Sequence, residues 1–193
     1  MVTMAVAFDF DGVLVDSVKD NIAAINIFAD KYGFDSMSEA AYRNMLTCNF
    51  YEYWQMLLGD QAQDFVADLH ALPRATITIL PALTPILQMH RPVIVSSNFS
   101  QLIRESLATI GLELPVYGGD VEKSKIVKLG KLKAAPDVFV TDTAGDVAEG
   151  KIAGYTTIAV TWGYNDRDVL IASRPDHLVE TPEQLNRVLT LLR

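Results

Sequence analysis

Cysteine is nearly absent: Cys48 is the only one in 193 residues. A disulfide framework is therefore excluded, and with only three histidines, His70, His90 and His177, so is a Cys/His zinc centre. Cys48 has no histidine near it in sequence and reads as a small buried or loop residue. Basic residues are also scarce. Sixteen Lys and Arg stand against 24 Asp and Glu, a formal net charge of −8. A protein built to grip phosphate backbones shows the opposite balance, so nucleic acid is not expected as the partner. No apolar run approaches the ~20 residues that span a bilayer. The first apolar run is broken by Asp9 and Asp11, unlike a secretory leader. A lone thiol in an acidic chain fits a reducing cytoplasm. Internal repeats and low-complexity stretches are missing too.

What is present is a composition that is 50% hydrophobic and 21% charged, enough for one ordinary core with a small insert. The chain is organised around AVAFDFDGVLVDS, Ala5 to Ser17. A short apolar run ending at a glycine turn reads as a buried strand of a parallel sheet. Asp9 and Asp11 stand two apart, so an extended backbone points both into one pocket. Gly12 lets the chain turn away sharply. Two such close carboxylates resist joint ionisation unless a cation or proton relieves them. The pair therefore suits a hard divalent ion, or a division into nucleophile and acid/base. A plain strand-to-turn junction with solvated acids is the alternative.

After Ser17 the period changes to that of a helix, with Ile22, Ile25, Ala29 and Tyr32 on one face and Gly33 as its stop. The pattern stays helical to about Leu72, with Ser38 as a cap and Phe50, Tyr51, Tyr53 and Trp54 as the centre of a small bundle. Pro73 and the stretch from Ala75 to Pro81 read as a returning linker. Strands are expected at Val93–Val95, Pro115–Tyr117, Val138–Val140, Thr157–Val160 and about His177–Val179, with helices between them. Alternation of this kind gives an α/β fold, a doubly wound parallel sheet, with a small α-helical cap inserted after the first strand. Residues 1–16 and 81–193 form the expected core and residues 17–80 the cap.

Polar groups recur where the strands end: Asp9 and Asp11, then Ser96-Ser97-Asn98, then Lys123 or Lys125, then Asp142 with Asp146. A parallel sheet brings all these ends to one edge, where open α/β sheets bind ligands.

FDFDGVLVDS, VIVSSN, the lysine of EKSK and VTDTAGD stand in the order of the four motifs of the haloacid dehalogenase superfamily. The tail from Val160 resembles its phosphoglycolate phosphatase-like branch. The likeness covers essentially the whole chain. It implies a Mg²⁺-dependent phosphatase acting on a small phosphorylated metabolite, as a monomer or homodimer. By the same likeness Asp9 is the nucleophile that becomes an aspartyl phosphate and Asp11 the acid/base. Ser96, Ser97, Asn98 and a lysine hold the phosphoryl group. Asp9, Asp142 and the main-chain carbonyl of Asp11 hold the metal, and Asp146 orients the lysine or a metal-bound water. An aspartate at the position of Asp11 separates phosphatases and phosphomutases from the dehalogenases. Two points depart from the pattern. Thr141 stands where the family usually has glycine, and two lysines compete for the third motif. Lys123 is preferred for its distance to the apolar residues of the following helix.

The other readings are a phosphomutase reusing the aspartyl phosphate and a catalytically silent phosphate-binding protein. A signalling receiver domain is disfavoured by the Asp-x-Asp spacing and the cap-sized insert. Gly145, Gly150 and Lys151 imitate a P-loop, but Ile152 stands where Ser or Thr is required. The triplet Asn98-Phe99-Ser100 has no secretory context. The histidines read as surface or loop residues. Arg43 and Asn49 are the cap's candidates for the organic part of a substrate, against the plainer reading of a solvated helix face.

Overall fold

The computed structural model describes residues 6–132 and 138–192. Ala5, the expected start of the first strand, lies outside them. β1 (Val6–Phe8) is buried at every position. It occupies the middle of the sheet, and a parallel strand covered on both faces needs an unbroken apolar run. Phe8 lies level with Ile94 of β2 (Val93–Val95) and with Val140 of β4 (Val138–Thr141). β3 (Val116–Tyr117), β5 (Thr156–Val160) and β6 (His177–Val179) complete six parallel strands in the order β3-β2-β1-β4-β5-β6. After β1 the chain builds outward on one side, then returns to add β4 on the other. That reversal opens a crevice beyond the carboxyl ends of β1 and β4.

Between β1 and β2 the chain forms α1 (Val18–Asn26), α2 (Ala29–Tyr32), α3 (Glu39–Met45), α4 (Phe50–Leu58) and α5 (Ala62–Ala71). They enclose an apolar cluster of their own around Trp54 and Phe65, whose ring centroids lie 4.2 Å apart. The helix expected up to Gly33 is in fact two, broken at Ile27 and Phe28. Gly33 still ends the second in the left-handed conformation, at φ 71°. Ser38 caps α3 as expected, accepting from the Ala41 amide at 3.2 Å.

α6 (Thr84–His90), absent from the sequence reading, follows the linker. Pro85 sits in its first turn, where proline is tolerated, and Ile86 and Leu87 bury its inner face. α7 (Ser100–Ala108), α8 (Lys125–Lys131), α9 (Ala144–Ile152), α10 (Arg167–Ala172) and α11 (Pro182–Leu191) link or follow the later strands. Leu83, Leu87, Ile103, Leu107, Leu185 and Leu189 pack in the apolar cluster that includes Phe8, Ile94 and Val140. Among the described residues no helix is long and apolar enough to cross a membrane.

Candidate active site

Asp9 follows β1 directly and is still tied to the sheet, its amide donating to the Val140 carbonyl at 2.9 Å. Its Oδ1 accepts the Phe10 amide at 2.8 Å, and its Oδ2 accepts Lys125 Nζ at 2.8 Å. Gly12, at φ 76°, turns the chain. A Cβ there would fall within the carboxylate of Asp142, and one on Gly163 would also clash with the Asp142 side chain. The two glycines thus let backbone close around Asp142. Asp142 is fully buried; its Oδ2 accepts the Tyr164 amide at 2.7 Å, while its Oδ1 has no hydrogen-bond partner.

Asp11 gathers donors from two parts of the chain. Its Oδ1 accepts Ser17 Oγ at 2.6 Å, and Asn98 Nδ2 reaches its two oxygens at 3.2 and 3.0 Å. Ser17 is also hydrogen-bonded to the Tyr164 hydroxyl. Asn21 Nδ2 lies 3.1 Å from the Tyr42 hydroxyl and 3.2 Å from that of Tyr164. Ser96 closes β2, buried, its Oγ accepting the Asn98 amide at 3.0 Å. Asp9, Asp11, Ser96, Ser97, Asn98, Lys125 and Asp146 all line one cleft.

The lysine preferred from sequence is not in it. Lys123 is exposed, its ammonium 5.6 Å from the centroid of the Tyr51 ring. Ser124 caps α8, so Lys125 is its first residue. Helical side chains lean toward the N-terminus, and this one leans into the cleft. There it bridges Asp9 and Asp146, all three buried. Asp146 has a further donor in Thr141, whose Oγ1 lies 3.0 Å away. The hydroxyl that replaces the family's glycine therefore goes to Asp146. Lys128, one turn on and wholly buried, donates to the Ser96 carbonyl at 2.6 Å. It went unnoticed in the sequence, although the i, i+3 spacing from Lys125 put both on one face.

Burial raises Asp9 well above the ordinary carboxylate range, against the pull of Lys125. It raises Asp142 to about 7. For Lys125 burial works the other way, but Asp146 and Asp9 outweigh it and the ammonium is held above its usual value. Asp146 is desolvated as well, yet Lys125 brings it below its usual value. Lys128 falls to about 8, through burial and then Lys125.

Among the described residues no three His, Cys, Asp or Glu side chains are arranged to hold a metal. Two buried carboxylates with one unpartnered oxygen nevertheless suit a hard cation that keeps most of its waters, such as Mg²⁺, better than zinc.

The insert's two candidate substrate contacts bond to the main chain or side chains beyond the insert. Arg43 Nη1 donates to the carbonyls of Gly163 and Tyr164 at 3.2 and 2.6 Å. Asn49 caps α4 and donates to Glu149 Oε1 at 3.0 Å. Tyr51 reaches the Ser97 carbonyl at 3.1 Å. Arg43 and Asn49 hold the insert to the sheet domain, while His70 and Arg74 line the cleft instead. Glu149 is buried, and burial followed by Asp146 raises its carboxyl from 4.5 to about 7. A carboxyl raised on folding weakens the fold as pH climbs from its unfolded to its folded value. Glu149→Gln keeps an acceptor for Asn49 and removes that charge. It should stabilise the protein by about 2 kcal/mol at pH 8 and hardly at all at pH 4. Melting curves of both proteins across that range test this, and a difference independent of pH refutes it.

Residues 6–160 match the model of the haloacid dehalogenase-like hydrolase family. The phosphoglycolate phosphatase of Synechococcus elongatus is 31% identical, the match covering 97% of this chain and 98% of that protein. The phosphoglycolate phosphatase of Vibrio parahaemolyticus is 24% identical over 96% of each. A haloacid dehalogenase-like family hydrolase from Streptococcus pneumoniae superposes with a TM-score of 0.75 at 18% identity, covering 98% of this chain and 100% of the other. A hydrolase from Pseudomonas syringae gives 0.75 at 17% identity, over 98% and 99% of the chains.

Proposed function

Because the chain belongs to the haloacid dehalogenase-like hydrolase family, we propose that it is a Mg²⁺-dependent phosphatase of small phosphomonoesters, working through an aspartyl phosphate on Asp9. One observation carries the reading. Asp9 lies in a cleft with an ammonium bonded to it, a hydroxyl at the next strand end and a second carboxylate two residues on. Phosphoryl transfer needs positioning and charge stabilisation more than covalent help from many groups.

In this scheme a carboxylate oxygen of Asp9 attacks phosphorus in line with the bond to the leaving oxygen. That bond breaks, and Asp11 gives its proton to the departing alkoxide. Asp11, now ionised, takes a proton from water. The resulting hydroxide attacks the phosphoaspartate, releasing inorganic phosphate and restoring Asp9. Lys125 balances charge on the phosphoryl oxygens and holds Asp9 in place, with Asp146 holding Lys125. Ser96 and Asn98 supply further donors. Asp9, Asp142 and the Asp11 main-chain carbonyl would hold Mg²⁺, which when bound offsets the repulsion between a carboxylate and a phosphate dianion.

Removal of divalent cations with EDTA should abolish hydrolysis of an aryl phosphate, and added Mg²⁺ should restore it. Mg²⁺ should also raise the melting temperature in the absence of substrate. Activity indifferent to chelation overturns the metal part of this reading. The relatives' names make phosphoglycolate the first substrate to assay. A mutase would instead return a phosphorylated isomer from a sugar phosphate.

A further inference from the structure

Lys128 is a buried charge that the chemistry proposed at Asp9 leaves unused. It is wholly buried, and its ammonium donates to the Ser96 carbonyl at 2.6 Å. It forms none of the ion pairs among the described residues. Burial and then Lys125 bring it down to about 8, while Asp9, Asp146 and Glu149 pull the other way, so it is still mostly protonated at neutral pH. Taking an ammonium out of water is costly. Methionine would fill a similar volume without that cost, so packing alone does not account for a lysine here.

The carbonyl it binds belongs to the turn that closes β2. The Ser96 amide donates to the Tyr117 carbonyl at 3.1 Å, and the Asn98 amide to Ser96 Oγ at 3.0 Å. The Ser97 carbonyl accepts the Tyr51 hydroxyl at 3.1 Å, and the Asn98 carbonyl accepts the Gly119 amide at 2.8 Å. Of the main-chain groups of these three residues, the Ser97 amide alone has no acceptor among the described residues. Ser97 is half-buried and lines the cleft with Ser96 and Asn98. A trans peptide holds its C=O and N–H on opposite sides. The Ser96 carbonyl, turned to Lys128, therefore turns the Ser97 amide the other way, with the cleft as its remaining source of an acceptor.

We infer that Lys128 is a positioning residue for the phosphoryl site: by bonding the Ser96 carbonyl it aims and polarises the Ser97 amide as a donor to the phosphoryl oxygens. This rests on the phosphatase reading above. A charge-assisted bond to a peptide oxygen draws electron density from the peptide nitrogen, and hydrogen bonds in such a chain strengthen one another. A donor already fixed in place needs no reorganisation when the anion arrives. Lys125 acts on the phosphoryl group directly, whereas Lys128 acts through one peptide unit.

The test is Lys128→Met, assayed with an aryl phosphate and Mg²⁺ at a temperature where the variant is folded. KM and the competitive inhibition constant for inorganic phosphate should both rise about tenfold, with kcat falling less than about threefold. Merely structural damage lowers the amount of active protein, hence kcat, and leaves both constants alone. Lys128→Gln keeps a neutral donor for the carbonyl, and its inhibition constant should lie between the two. It carries the test if methionine prevents folding. In isotope-labelled protein the magnetic resonance of the Ser97 amide proton should move downfield on addition of inorganic phosphate, and by less in Lys128→Met. Unchanged KM and inhibition constant in both variants, or a Ser97 amide insensitive to phosphate, overturn the role of Lys128 and leave the phosphatase reading standing. Failure of the unmodified protein to hydrolyse any phosphate ester overturns that reading, and this inference with it.

Discussion

Asp9→Asn leaves a folded protein that no longer hydrolyses phosphate esters. The amide oxygen can still accept the Phe10 amide hydrogen, and Lys125 retains Asp146 as a partner. The substitution also removes a carboxylate whose charge is disfavoured by burial. Stability should therefore change by no more than about 2 kcal/mol in either direction. The amide is not a nucleophile, so turnover of an aryl phosphate should drop at least about 10⁴-fold, with no acyl phosphate left to form. Two measurements check it. Acid quenching of the unmodified protein during turnover of labelled substrate should trap label on the chain, and the variant should trap none. Undiminished activity, or label retained by the variant, removes Asp9 from the role.

Lys125→Met has the second largest effect and separates two lysines that the sequence alone could not. The unmodified ammonium lies between Asp9 and Asp146, buried with both. Methionine fills similar space but leaves two carboxylates facing each other without a counter-charge. Removal of one member of a buried ionic group destabilises by about 3–5 kcal/mol, so the melting temperature should fall clearly. Loss of charge stabilisation at the phosphoryl group should lower kcat about 10³-fold at a temperature where the variant is folded. Lys123→Met removes an exposed side chain beside the Tyr51 ring and should leave kcat within about threefold. The reverse ranking would return the role to Lys123.

The part of the molecule that could be read in advance was the part governed by strand burial. Val6–Phe8 and Val138–Val140 carry unbroken apolar runs because they pair at the centre of a covered sheet, and such runs are visible in a sequence. The polar residues that end them then share one edge by topology alone. That Lys125 rather than Lys123 lines the cleft has a local reason. Distance to later apolar residues says where a helix is buried, but Ser124, as the cap, decides where it starts. That one-residue decision turns Lys125 inward. α6 was missed because it is short and follows a proline-rich linker, so its apolar residues do not complete two turns of a pattern. Arg43 and Asn49 were legible as polar positions on helices, but period does not say whether a polar face meets solvent, a ligand or a loop. Here both meet the sheet domain. Arg74 stands in irregular chain, where no periodicity is available to mark it.

Tyr164 is tied by its amide to Asp142, by its carbonyl to Arg43 of the helical insert, and by its hydroxyl to Ser17, which itself holds Asp11. A single residue thus has a hand on each of the two carboxylates and on the roof above them. Arg43→Ala would strip one tether from this residue, and the loss would be felt through the Tyr164 amide at Asp142 and through Ser17 at Asp11.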